Sequence, residues 1–265
     1  MRKIAIIGGS GVYDPEALQG FEKKLIETPY GPASCTVGKL FGNQVVFITR
    51  HGVGHSVPPH KINYRANIWA LKSLGTEEIL ETTAVGRVNP QMTAGHFVVC
   101  SDVLDFTKSR INTFFDGERL PVGHVDFTHP YCERVRAKLI ACLKELDIPF
   151  HTHGTYVCTE GPRFESAAEV KMFANLGGDV VGMTNCPESG LAREAEMHYS
   201  TCSIVTNMGA GISKTPLSHQ EVLDAMAESI KKMEALITAF IKYDKEPEAS
   251  CTCANCMQEF GGFKL

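Results

Sequence analysis

Glu78-Ile79-Leu80-Glu81-Thr82-Thr83-Ala84-Val85-Gly86 reads as a buried strand over 78–83 whose end carries a turn of small and hydroxyl-bearing residues. Three other anion-friendly pieces stand in the same position relative to an apolar run. Gly8-Gly9-Ser10-Gly11 follows the run at 4–7, Arg50-His51 follows 45–49, and Thr206-Asn207 closes 201–206. Ligand sites in open α/β sheets lie outside the carboxyl ends of strands. Four pieces at four strand ends therefore predict one pocket, which grips a small oxyanion beside a flat, hydrogen-bonding heterocycle.

Further strands are predicted at 97–100, 154–158 and 180–182. Apolar residues at helical spacing predict helices at 63–74, stopped by Gly75, and at 130–146, 165–176 and 187–199. A last helix starts from a capping box, Ser218 with Glu221, ahead of Val222, Met226, Ile230, Met233, Ile237 and Phe240. This alternation predicts a single three-layer α/β domain over 1–243, a central mixed β-sheet flanked by helices. Segment 101–128 lacks periodicity and reads as an excursion that covers a pocket or meets a neighbouring subunit. The tail at 244–265 loses the apolar pattern and is expected to be loose.

A formal net charge of -4 without any Lys/Arg run excludes broad nucleic-acid binding, which needs an extended basic surface. Any anion site must be local. The start Met1-Arg2-Lys3 is basic, but the apolar run behind it is too short for a signal peptide, and no run approaches the roughly 20 residues of a membrane span. The expected location is the cytoplasm. Of the cysteines, Cys100, Cys142, Cys158 and Cys202 sit in strand-like or helix-like text, where a reduced thiol serves as a small hydrophobe.

The glycines at 8–11 let backbone N–H groups converge on an anion, and equally suit a tight turn needed for packing. Asp14 stands where a dinucleotide fingerprint needs its third glycine, and no Walker lysine follows. Arg50 offers a rigid fork of donors for phosphate, and His51 a further donor, while a surface arginine closing a strand is the plainer reading of Arg50 alone. No metal is expected: His51, His55 and His60 match no zinc signature, and His-Glu-x-x-His is missing. Cys251, Cys253 and Cys256 have a spacing that suits zinc or a redox pair, but they are only three thiols and no histidine lies near them in the sequence. The Gly-x-Ser-x-Gly elbow of covalent hydrolases does not occur.

Taken in order, several motifs resemble the trimeric purine nucleoside phosphorylases, especially their methylthioadenosine phosphorylase-like subgroup. They are the glycine loop, Arg50-His51-Gly52 with His55, Asn63-Tyr64-Arg65-Ala66-Asn67-Ile68-Trp69, Thr82-Thr83-Ala84-Val85-Gly86, Glu160-Gly161-Pro162-Arg163-Phe164, and Gly182-Met183-Thr184 with Pro187-Glu188. The resemblance implies a phosphorylase-type fold, a homotrimer with the pairing of trimers left open, inorganic phosphate as co-substrate and no cofactor. It implies that Ser10, Arg50, His51, Thr83 and Thr184 hold phosphate, that Met183 lies beneath the ribose, and that Phe164 encloses sugar and base. His124 matches the position that reaches a neighbour's 5' pocket.

The sequence departs from the adenine-specific members at the base. They carry Asp after the late Thr and a small hydroxyl residue after Gly-Pro-Arg-Phe; this chain has Asn207 and Glu165. An amide offers both donor and acceptor to O6 and N7–H, and a carboxylate accepts from N1–H but repels the N1 acceptor of adenine. His219 stands where ordinary 6-oxopurine phosphorylases carry a histidine for the 5'-hydroxyl. The expected activity is phosphorolysis of inosine and guanosine to free base and ribose 1-phosphate, with Asn207 and His51 acting in catalysis. Methylthioinosine or methylthioadenosine phosphorolysis is the alternative, followed by a purine-binding protein without turnover.

Overall fold

The computed structural model describes residues 1–9, 20–208, 219–247 and 249–265, with backbone alone at Val53, Met208 and 219–228. In chain order the strands and helices are β1 (Lys3–Gly8), β2 (Glu22–Ile26), β3 (Ala33–Leu40), β4 (Asn43–Thr49), α1 (Tyr64–Ser73), β5 (Glu78–Arg87), β6 (Phe97–Val99) and β7 (Asp102–Phe106). They continue with α2 (Glu133–Glu145), β8 (Phe150–His151), β9 (Thr155–Thr159), α3 (Ala167–Asn175), β10 (Val180–Gly182), α4 (Asn185–Glu194), β11 (His198–Met208) and α5 (His219–Lys242).

Side chains of a strand alternate between two faces, and β1 is apolar on both. Ile4 and Ile6 pack with Val45, Phe47 and Leu80 into a layer completed by α2 (Leu139, Leu143) and α5 (Met233, Ile237, Phe240). Ala5 and Ile7 face the other way, with Val46 and Ile48, against α1 (Ile68, Leu71) and α4 (Leu191, Ala192). The result is the expected three-layer α/β architecture. The sheet is mixed: its main path runs β2-β3-β4-β1-β5-β10-β9-β7, with β11 joined to β5 and β6, and β8 to β6. Among the described residues no helix is long and apolar enough to cross a membrane.

Three expectations need correction. The helix read over 187–199 stops at Glu194; Glu196 takes a left-handed φ of 54°, and His198 already opens β11. The Thr82–Gly86 turn is not a turn, because β5 runs on to Arg87 with β11 paired beside it. The tail is not loose: Cys253, Met257 and Phe263 are buried, and the Phe263 ring meets Trp69 at 5.3 Å and Phe114 at 5.1 Å. Two aromatics, Phe260 and Phe263, in a polar tail carry no sustained periodicity, so its docking left no pattern in the sequence. Segment 101–128 opens with β7, an edge strand on β9, and then buries Phe114 and Phe115. The capping residue Ser218 lies outside the described residues.

Candidate functional site

The sheet divides along β5. Residues 78–81 pair in parallel with β1, while Gly86 and Arg87 pair antiparallel with β10. β11 follows the opposite edge from Glu78 to Arg87. Between the two pairings, Thr82–Val85 has β11 alone beside it, so a cleft opens in the sheet where β1 and β10 part. Buried backbone groups need partners, and the divergence strips two carbonyls of theirs. Arg50 supplies them: its Nη2 donates to Ile7 O at 2.9 Å and to Thr82 O at 3.0 Å.

The chain delivers Arg50 to this cleft because β4 ends level with β1. Gly8 pairs with Thr49, and Arg50 N donates to Gly8 O at 3.2 Å. Arg50 Nη1 pairs with Glu81 and donates to Thr184 Oγ1 at 2.6 Å. Thr184 Oγ1 in turn lies 3.4 Å from Thr83 Oγ1. Arg50, Thr83 and Thr184 thus meet as the sequence predicts, but the fork of Arg50 is turned inward. Among the described residues its Nε alone has no hydrogen-bond partner, 4.0 Å from Glu188 Oε2. Ser10 lies outside the described residues.

Behind Arg50 is a polar core that the sequence reading missed. The Tyr199 hydroxyl is 2.8 Å from Glu81 Oε2 and 3.1 Å from Glu188 Oε1, and Asn185 Nδ2 donates to Glu81 Oε2 at 2.7 Å. Burial, reinforced by Glu81, pushes the Glu188 carboxyl up to about 8 although Arg50 opposes the shift. Burial acts on Glu81 in the same direction, but the Arg50 charge and the hydrogen bonds from Arg50 and Tyr199 outweigh it and hold Glu81 below the usual range. At neutral pH Glu81 is therefore ionised and Glu188 protonated. Tyr199 has one proton, which it gives to the charged Glu81, and Glu188 donates to Tyr199. The signal was a carboxylate inside the run Ile79-Leu80-Glu81, because a charge in a buried strand requires a partner.

His51 follows Arg50 and turns its Nδ1 to Val57 O at 2.9 Å. Its ring stacks on His55 at 4.2 Å. Burial, helped by the nearby Arg50 charge, pushes His51 down to about 4, against the Val57 bond. The neutral ring donates Nδ1–H to the carbonyl, which leaves Nε2 an acceptor rather than the expected donor to an anion.

The residues predicted for the base come from the loop after β9 and from β11, which β10 and β5 separate in the sheet. Glu165 is held outside α3 by a capping box, Ser166 with Glu169, so its side chain is set before the helix begins. It is buried, and Thr159 Oγ1 donates to its Oε1 at 2.7 Å. Phe164 beside it is exposed. Gly161, at φ +63°, leaves no room for a Cβ, which would stand 2.6 Å from Met183 Sδ; this seats Met183 against the 160–164 loop. Arg110, which the sequence reading did not single out, ties that loop down: its Nη2 donates to Thr159 O and Glu160 O, and its Nε to Glu160 Oε1 at 2.9 Å. Asn207 lies on β11 just past a bulge, where Val205 faces Val85 but Asn207 faces Gly86. Thr206 Oγ1 donates to Asn207 Oδ1 at 2.9 Å. His124 is exposed and stands 6.2 Å from the Phe260 ring of the tail. His219 begins α5, and its side chain lies outside the described residues.

Residues 3–242 match the model of the phosphorylase superfamily. The chain belongs to this superfamily. It is 51% identical over 263 residues to the probable 6-oxopurine nucleoside phosphorylase of Thermococcus kodakarensis, covering 97% of this chain and 98% of the relative. Identity and coverage are the same for the 6-oxopurine nucleoside phosphorylase of Pyrococcus furiosus. Among solved structures it is similar to a methylthioadenosine phosphorylase sourced from an Antarctic soil metagenomic library, with a TM-score of 0.90, 34% identity, and coverage of 98% of this chain and 92% of that one. Along β5 the Thr83 and Thr184 hydroxyls thus stand together beside the Arg50–Glu81 pair.

Proposed function

We propose that this phosphorylase is a 6-oxopurine nucleoside phosphorylase, which converts inosine or guanosine and inorganic phosphate into the free base and ribose 1-phosphate. The observation that carries the reading is the buried Glu165, whose Oε1 is engaged by Thr159 and whose second oxygen is left to accept from N1–H of a 6-oxopurine. Adenine presents an acceptor at N1, and two buried acceptors face to face are unfavourable. The relatives at 51% identity that carry the 6-oxopurine name support the same choice.

In the proposed reaction Ser10, His51, Thr83 and Thr184 hold phosphate, with Arg50 fixing Thr184 and supplying charge. The neutral His51 accepts, at Nε2, a hydrogen bond donated by a protonated phosphate oxygen. The C1'–N9 bond breaks with its electron pair going to the purine, a phosphate oxygen bonds to C1', and the proton that the phosphate carried passes to the departing purine to give the neutral base. Asn207, its carbonyl engaged by Thr206, meets the charge that arrives at N7 and O6. Met183 lies under the ribose, Phe164 closes over base and sugar, and His219 takes the 5'-hydroxyl. A homotrimer in the cytoplasm completes the proposal, with His124 entering the neighbour's 5' pocket. The reaction calls on no cofactor.

The test is a substrate panel of inosine, guanosine, adenosine and the two 5'-methylthio analogues, with and without phosphate. Phosphate-dependent release of hypoxanthine from inosine, with little adenine from adenosine, is expected. A strong preference for a methylthio substrate, or binding without turnover, overturns the proposal.

A further inference from the structure

Four sulfur and nitrogen ligands from three distant stretches of chain meet beside the start of β11. Cys132 is the N-cap residue of α2, His198 is the first residue of β11, and Cys251 and Cys253 come from the tail. One ligand atom of each lies within 4.8 Å of all the others. His198 supplies the imidazole that the tail lacks in its own sequence.

The spacing fits one tetrahedral ion. With Zn–S near 2.3 Å and Zn–N near 2.0 Å, a tetrahedron has S···N edges of about 3.5 Å and S···S edges of about 3.8 Å. Cys132 Sγ lies 3.5 Å and Cys251 Sγ 3.3 Å from His198 Nδ1. Cys132 and Cys253 are buried, and Cys251 and His198 are half-buried. Three thiolates around a divalent ion leave one negative charge, and Arg193 Nη1 reaches Cys253 Sγ at 3.5 Å to offset it. Cys256 turns away, donating to the carbonyls of Arg193 and Cys253 at 3.0 and 3.2 Å.

We propose that Cys132, His198, Cys251 and Cys253 form a structural zinc site. Thiolates with an imidazole suit zinc, and four protein ligands leave no open position for substrate or water. His198 and Asn207 lie at opposite ends of β11, nine residues or roughly 30 Å apart at strand rise, so the ion serves the fold rather than the reaction. It would bind the tail to α2 and the sheet, and each coordinating thiol would release its proton to solvent.

The experiment uses the full chain, purified under reducing conditions, with zinc measured per chain and the apoprotein titrated with cobalt(II). About one zinc per chain is expected, with intense tetrahedral cobalt–thiolate absorption on titration. Cys251→Ser and Cys253→Ser should lose the metal, and Cys256→Ser should keep it. The cobalt spectrum of the wild-type chain reads the site without any variant. No metal uptake by the reduced protein, an octahedral cobalt spectrum, or loss of zinc in Cys256→Ser equal to that in Cys251→Ser would overturn the proposal. A reduced protein that takes up no metal and reoxidises to a Cys251–Cys253 disulfide overturns it equally. These readouts do not depend on the substrate assignment.

Discussion

Arg50 Nη1 donates to Thr184 Oγ1 at 2.6 Å while Nη2 of the same side chain caps the carbonyls of Ile7 and Thr82. One guanidinium therefore seals the divergence of the sheet and orients a hydroxyl of the proposed phosphate site. Arg50→Lys keeps a charge but cannot span both carbonyls and Thr184 together. Arg50→Ala leaves Glu81 buried and uncompensated, at a cost of about 3–5 kcal/mol in stability. Denaturant unfolding should show that loss, and kinetics of the more stable Arg50→Lys should show a raised phosphate KM.

Glu188 binds a proton in the folded chain that it releases above pH 4.5 when unfolded, and its folded value near 8 sets the upper limit of the window. Between these limits the folded state holds more protons, so this carboxyl makes stability fall as pH rises, by at most about 1.4 kcal/mol per pH unit. Glu188→Gln reproduces the protonated form: its NH2 can donate to Tyr199 as the acid does. Melting temperatures from pH 5 to 9 should fall more steeply for the wild type than for the variant. Parallel curves would remove Glu188 from this role.

Thr159→Val keeps a β-branched side chain of similar size and removes the donor to Glu165 Oε1. Losing one hydrogen bond to a charged group is worth about 1.5–3 kcal/mol. The expected result is a fall in kcat/KM for inosine of roughly 10- to 100-fold, with discrimination against adenosine relaxed. Steady-state kinetics on both nucleosides check it.

Asn207→Asp replaces the amide donor by a carboxylate and should raise adenosine turnover relative to inosine. The measurement is the ratio of the two kcat/KM values, and an unchanged ratio would falsify the base-site assignment.

Phe263→Ala removes a buried ring from its contacts with Trp69, Phe114 and Phe115. Large-to-small changes of this kind cost about 3–5 kcal/mol. A lowered unfolding midpoint is expected, whereas a loose tail would leave it unchanged.

Much of this was legible in the sequence because it rests on local pattern. The strand at Val180–Gly182 and the placement of Arg50 at the end of β4 follow from apolar runs and what succeeds them. The edge strand β2 did not show, because Glu22-Lys23-Lys24 is exposed and its pairing with β3 depends on backbone partners. Small residues at 82–86 read as a turn because the strand that sustains them, β11, is more than a hundred residues away. The internal bonding of Arg50 and the meeting of His198 with Cys251 are likewise long-range events that no local spacing encodes.

The bulge at Thr206 makes the placement of Asn207 a question of parity. With an odd residue inserted opposite β5, the side chains beyond it exchange faces relative to an unbroken strand. Without the bulge Thr206 itself would face Gly86, and the amide, with every residue of the chain unchanged, would swing to the opposite side of the sheet. The register of a single strand, as well as residue identity, therefore sets which face of the sheet presents this amide.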